Sequence, residues 1–240
     1  MDCSNIKKSV RGQSVLGLPE EAIRDAKEAF EIYDLLGDEL GQALSLYDLA
    51  WARFDEQLDA AENDALRSFE LSQGEGKEFL ACKTHRLLSN IYRSKGEKEK
   101  AIHHLKKAQE IAAPSNWHGQ LIRIHYNLAE LFLGEDEFDE ANVNIERTKS
   151  YAVNDAHSTG RARRLQAEVW YGQGRVEDAS SEASSALEVF EKLGSTKEAV
   201  ACRDLLQKIG RAKVDQCVRY FDSEYYSGKP FGNDFASNIC

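Results

Sequence analysis

Small and aliphatic residues return along most of this chain at a spacing of three or four. Ala22, Ala26 and Ala29 begin the series, followed by Ala61, Ala65 and Ser68, then Ala101, Leu105 and Ala108. Ala141, Ile145 and Thr148 continue it, and Ala179, Ala183 and Ala186 end it. Each triplet follows i, i+4, i+7, the period of a helix that buries one stripe. The first alanine of each sits in a polar turn, LPEEA, QLDAA, KEKA, FDEA or VEDA, and four of the five turns carry the negative charge that favours a helix start. A second pattern runs ahead of the first. Ser89, Ala129 and Ala167 lie twelve residues before their alanines, and Ala50 lies eleven before. Leu49, Leu88 and Leu128 precede three of these small residues, while Gln166 breaks the pattern beside Leu165. Tyr92, Phe132 and Trp170 follow three residues later. A small side chain lets two antiparallel helices approach, and an aromatic one turn on fills the space beside it.

The alanines at 22, 61, 101, 141 and 179 are separated by 39, 40, 40 and 38 residues. Five units in register predict an array of helical hairpins in which neighbours share one interior. The helices are expected at residues 20–36, 44–54, 58–71, 79–94, 99–112, 117–133, 138–152, 157–171 and 176–193. A helix at 196–209 would cap the last open face. Residues 1–17 should hold the first helix of the first hairpin, although Ile6 and Val10 give it a thin stripe. Gly74, Gly76 and Pro114 break helices between units.

On these residues the chain resembles a tetratricopeptide repeat array over residues 18–210. The resemblance implies an all-α, right-handed α-solenoid of antiparallel helix pairs, a superhelix with the first helix of each pair lining its concave side. The usual unit has 34 residues; this one runs near 40, which resembles the arrays of spindle-orientation adaptors. The phrases EIYDLLGDELGQA and VFEKLGSTKEA also resemble arrays attached to fungal NACHT-type signalling ATPases, though no ATPase segment is present. The domain division that follows is an array at 1–210 and a tail at 211–240. The tail is aromatic-rich (Tyr220, Phe221, Tyr225, Tyr226, Phe231, Phe235), helical to about Tyr220 and coil beyond.

Composition narrows the function. With 42% apolar and 30% charged residues, the chain reads as a folded protein. It has no run of about 18 apolar residues and no secretion signal in MDCSNIKKSVRG, so a cytoplasmic protein without a membrane span is expected. Five scattered cysteines form no CxxC and read as reduced thiols. A formal charge of −10 argues against nucleic acid, whose backbone is gripped by lysine and arginine.

The search for chemistry yields no enzyme. GSTK at 194–197 lacks the glycine frame of a phosphate-binding loop and reads as a turn between helices. His103 and His104 are adjacent, so a helix aims them about 100° apart, poor for a shared metal. DEFDE at 136–140 could suggest a magnesium site, but the equivalent turns elsewhere are also polar and start helices. No cofactor and no metal are expected.

The sharper candidates lie on the first helices. Counting back from the small residues gives groove-facing Lys83, Arg86, Asn90 and Arg93, then Arg123, Tyr126 and Asn127, then Arg161 and Arg164. Lys83, Arg123 and Arg161 are equivalent sites, spaced 40 and 38. A basic residue repeated on inner helices of an acidic protein suits an anion-binding groove. Guanidinium grips carboxylate in two places, and an Asn amide can hold both N–H and C=O of an extended peptide. Arg86, Asn90, Asn127 and Arg161 resemble, in type and order, the carboxylate clamp of chaperone-binding repeat proteins. Leu165 stands where that clamp has a second basic residue. The Arg123–Asn127 pair is more similar to the Arg/Asn ladder of the long-unit adaptors.

The alternative is solvated charge, partly paired with Glu130 and Glu168. Earlier in the chain Tyr47 and Trp51 offer an apolar anchor pocket, with packing inside the hairpin as their ordinary fate. The resulting expectation is a non-enzymatic scaffold that binds an extended, acidic protein segment. The second expectation is a sensor or self-association module of a signalling protein.

Overall fold

The computed structural model describes residues 19–227, with side chains through residue 214. Ten helices and no strand occur among the described residues. They are α1 (Pro19–Leu35), α2 (Glu39–Arg53), α3 (Leu58–Leu71), α4 (Glu78–Ser94) and α5 (Lys98–Ala112), then α6 (His118–Leu133), α7 (Phe138–Tyr151), α8 (Ala156–Gly172), α9 (Val176–Lys192) and α10 (Thr196–Ser227). The expected helix at 1–17 and the coil past 227 lie outside the described residues.

The chain divides into two compact units, Met1–Leu131 and Phe132–Cys240, the division falling in the last turn of α6. In the first, α2 packs on α3 and α4 on α5 as hairpins, while α1 lies on α2 and α3 on α4. Helices α2 and α4, the leading members of successive hairpins, also touch. In the second, α8 and α9 form the hairpin, α7 lies on α8, and α10 covers α9 and reaches α8. Each unit is thus a stretch of α-solenoid in which contacts stay between near neighbours.

The periodic positions are the interior. All fifteen residues of the five triplets are buried, as are Ala50, Ser89, Ala129 and Ala167. The polar members are satisfied: Ser68 donates to the Ala43 carbonyl (2.7 Å), and Thr148 donates to that of Asn144 (2.9 Å). Where the array ends, α10 sets Leu205 and Ile209 against Ala167, Ala179 and Ala183, closing the second unit's core.

The aromatics have a second, backbone role. At the turn inside each hairpin the Tyr92, Phe132 and Trp170 carbonyls accept the N–H of the residue five positions on, at 3.0 Å or less. Gly96, Asp136 and Gly174 supply the positive φ that this closure requires, at 76°, 58° and 76°. Asp136 is therefore a turn residue, and α7 starts directly after at Phe138.

Two element ends differ from the sequence reading. Helix α2 begins at Glu39, five residues ahead of Leu44, because Asp38 caps it: its Oδ1 accepts the Gly41 N–H at 2.9 Å. Helix α10 runs past both 209 and Tyr220 to Ser227. No proline occurs between 210 and 227, and one interior glycine, Gly210, costs only about 1 kcal/mol. The expected boundary at 210 therefore falls inside a continuous helix.

Candidate functional site

In the first unit the leading helices α2, α4 and α6 are joined by side chains that run from helix to helix. The Lys83 ammonium lies over the Tyr47 ring, 4.2 Å from its centroid, linking α4 to α2. Three rungs then link α4 to α6. Arg86 Nη1 donates to Gln120 Oε1 (2.7 Å), Asn127 Nδ2 donates to Asn90 Oδ1 (3.0 Å), and Arg93 Nη1 donates to Glu130 Oε2 (2.7 Å). Partners 34 to 37 residues apart meet because equivalent helices of adjacent hairpins lie side by side.

Sequence reasoning placed these residues on one face, and the rungs define what each can still do. Arg86 is buried, and a guanidinium taken out of water needs such a partner. Asn90 and Asn127 are half-buried; their mutual bond uses one N–H and one carbonyl, leaving amide N–H groups and the Asn127 carbonyl for another molecule. Arg123, one turn before Asn127, is exposed. Tyr126 is buried, with 3% of its surface accessible, so it supports the face from beneath. Tyr47 is buried too, and half-buried Trp51 meets it edge-on at 6.5 Å and Phe54 at 5.7 Å.

Arg161 and Arg164 belong to the second unit, both half-buried on α8. Arg164 forms an ion pair with Glu168 on the same helix, and the neighbouring Arg163 reaches Glu182 of α9 at 3.3 Å. The pairing expected with Glu130 and Glu168 therefore occurs on Arg93 and Arg164.

Sequence reasoning missed Gln120 and a histidine pair. The rings of His103 and His104 meet edge-on, their centroids 5.5 Å and their planes 82° apart. His104 also meets His85 of α4, with the two Nδ1 atoms 2.9 Å apart. Phe69 of α3 packs on the His85 ring at 4.4 Å, and Tyr92 stacks on His104 at 5.2 Å and 14°. Burial pushes both histidines down to about 4, helped at His85 by His104 and His103 and at His104 by His103, so both are neutral at pH 7. The Tyr92 hydroxyl donates to Glu62 (2.7 Å); burial and that carboxylate push it up to about 12. The signal was present: 85 lies four residues before Ser89 and 104 three after Ala101, both on hairpin-facing stripes.

Comparisons agree with the fold. The tetratricopeptide repeat family model matches residues 87–114. No curated protein matches the sequence. Among solved structures, aspartyl phosphate phosphatase F from Bacillus subtilis is similar at 18% identity and a TM-score of 0.73, over 86% of this chain and 55% of that one. A Rap protein complexed with competence and sporulation factor is similar at 14% identity and a TM-score of 0.64, over 89% and 66%. A signal transduction ATPase with numerous domains and a tetratricopeptide repeat sensor, from Pyrococcus horikoshii, is similar at 18% and 0.69, over 88% and 33%. The chain thus spans about half the length of the Bacillus phosphatase. No helix among the described residues is long and apolar enough to cross a membrane. The chain is accordingly an all-α solenoid of helical hairpins that is similar to the tetratricopeptide repeat over residues 87–114.

Proposed function

We propose that the chain is a non-enzymatic, cytoplasmic scaffold whose α2–α4–α6 face in the first unit holds an extended, acidic protein segment. The observation that carries this reading is the Asn90–Asn127 rung with exposed Arg123 one turn away. The amides suit the N–H and C=O of a peptide backbone, and the guanidinium suits a carboxylate side chain. Lys83 adds charge beside Tyr47 and Trp51, which suit an apolar anchor on the same segment. Arg161 and Arg164 are a second set of anion contacts, carried by the other unit. The Rap structure complexed with a factor supports a protein or peptide as partner.

The test is a positional-scanning library of labelled extended peptides, read by anisotropy. Acidic peptides should be selected, and Arg123→Glu should weaken the best of them at least about tenfold, or 1.4 kcal/mol. Lys192→Glu, far along the sequence and exposed, should leave binding unchanged. Selection without acidic preference, or binding indifferent to Arg123→Glu at unchanged helicity, rejects the reading.

A second reading, a sensor or self-association module, is favoured by the sensor array of the archaeal ATPase. Deleting residues 211–240 and measuring mass in solution separates it from the first.

A further inference from the structure

We infer that Glu130 is a built-in competitor on the α2–α4–α6 face: its carboxylate holds the Arg93 guanidinium until an acidic side chain of the partner displaces it. This rests on the groove reading proposed above and adds the residue that regulates it. Arg93 Nη1 donates to Glu130 Oε2 at 2.7 Å. Arg86, Asn90 and Arg93 follow at i, i+4 and i+7 on α4, and Arg123, Asn127 and Glu130 do so on α6. Each trio therefore lies along one stripe of its helix. The Asn90–Asn127 rung is thus flanked along α6 by exposed Arg123 on one side and by the Arg93–Glu130 pair on the other. One cation of the face is exposed, and the other already holds a carboxylate.

The register of the array repeats this arrangement. Glu130 directly follows Ala129, the small residue of its leading helix, and Glu168 directly follows Ala167. Each holds a guanidinium of the candidate anion contacts, Arg93 in the first unit and Arg164 in the second. One hairpin earlier the same position, after Ser89, is Asn90. A glutamate there changes what the face selects. An amide both donates and accepts and so serves a peptide backbone, whereas a carboxylate only accepts and repels another acid.

The pair is placed to exchange. The Arg93 side chain is 41% exposed and that of Glu130 25%, so water reaches both, and an ion pair of this kind adds little to stability. A lone anion from solution does not displace Glu130, because the internal carboxylate is tethered beside Arg93 at high effective concentration. A segment already held on the asparagine rung and Arg123 brings its next acid to Arg93 under similar tethering and competes on equal terms. The partner selected in this way is an extended segment with at least two acids, and a segment with one acid is discriminated against.

The test uses the full chain and a short labelled oligo-aspartate peptide, with its asparagine counterpart as control, read by anisotropy. Glu130→Gln keeps the size of the side chain and removes its charge. It should tighten aspartate binding about threefold or more and leave the asparagine peptide unchanged. Glu99→Gln, which removes an exposed charge from α5, should change neither. Arg93→Gln should abolish the gain, so that the double variant binds no tighter than Arg93→Gln alone. No gain, a gain that Glu99→Gln matches, or a gain that persists without Arg93 would each overturn the assignment. A rung that only fastened α6 to α4 would show as a lower Tm at unchanged affinity. If Arg123→Glu weakens aspartate binding while Glu130→Gln does nothing, the competitor is rejected and the groove reading stands. If neither the parent nor any variant binds the aspartate peptide, both fall. Should Glu130→Gln fold poorly, the parent decides: the Arg93 guanidinium resonance should shift with the aspartate peptide and not with its counterpart, and any other response rejects the competitor.

Discussion

Gly41 is where a single atom matters most. It lies in α2 against Tyr33 of α1, and a Cβ there would sit 2.1 Å from the ring's Cδ1 and 2.3 Å from its Cγ. Tyr33 is itself buried, so its ring has nowhere to go. Gly41→Ala should therefore destabilise by about 1–3 kcal/mol through overpacking. Gly119, in α6, has nothing within 4 Å of the same added atom. Gly119→Ala should be neutral or stabilise by up to about 1 kcal/mol, since it restricts only the unfolded chain. Urea unfolding of both variants checks the pair, and equal effects would refute the close-approach argument. That Gly41 admits a tyrosine depends on a contact between two helices that no local sequence pattern encodes.

At the scale of helices, two ends are set by aspartates. Asp155 caps α8, accepting from the Ser158 N–H (3.0 Å) and hydroxyl (2.6 Å). The Ser158 hydroxyl bond, then its backbone N–H, hold the Asp155 carboxyl below its ordinary value of 3.8. Asp155→Ala should cost about 1 kcal/mol at pH 7. A carboxyl depressed on folding contributes stability that is present above the unfolded value and lost as pH falls through the folded one. The Tm difference between parent and variant should then persist down to about pH 4 and shrink in stronger acid. A difference that stays constant through that window would mean the aspartate acts by something other than its charge. Helix interiors were legible because five units repeat one stripe, whereas this cap and the extension of α10 were not, since each occurs once and depends on a single turn or on the absence of a breaker.

The whole molecule explains why its fold was easier to read than its site. A period near 40 is a property of the sequence itself, and stacked hairpins convert it directly into shared interior. The rungs Arg86–Gln120 and Arg93–Glu130, and the His85–His104 pair, depend on which residues of separate helices come level. Residue spacing alone does not fix that. The same nearest-neighbour construction limits how far a defect can spread. Phe190 of α9 is fully buried with Ala186, Ala199 and Cys202, all in the second unit. Phe190→Ala should cost about 3–5 kcal/mol by the cavity it leaves. In an array, that loss should first open the helices that share the cavity. Hydrogen exchange should therefore accelerate across α8, α9 and α10 while α2 to α5 keep their parental rates. Uniform acceleration along the chain would show instead that both units unfold as one cooperative body, and each hairpin's stability would then no longer be a local quantity.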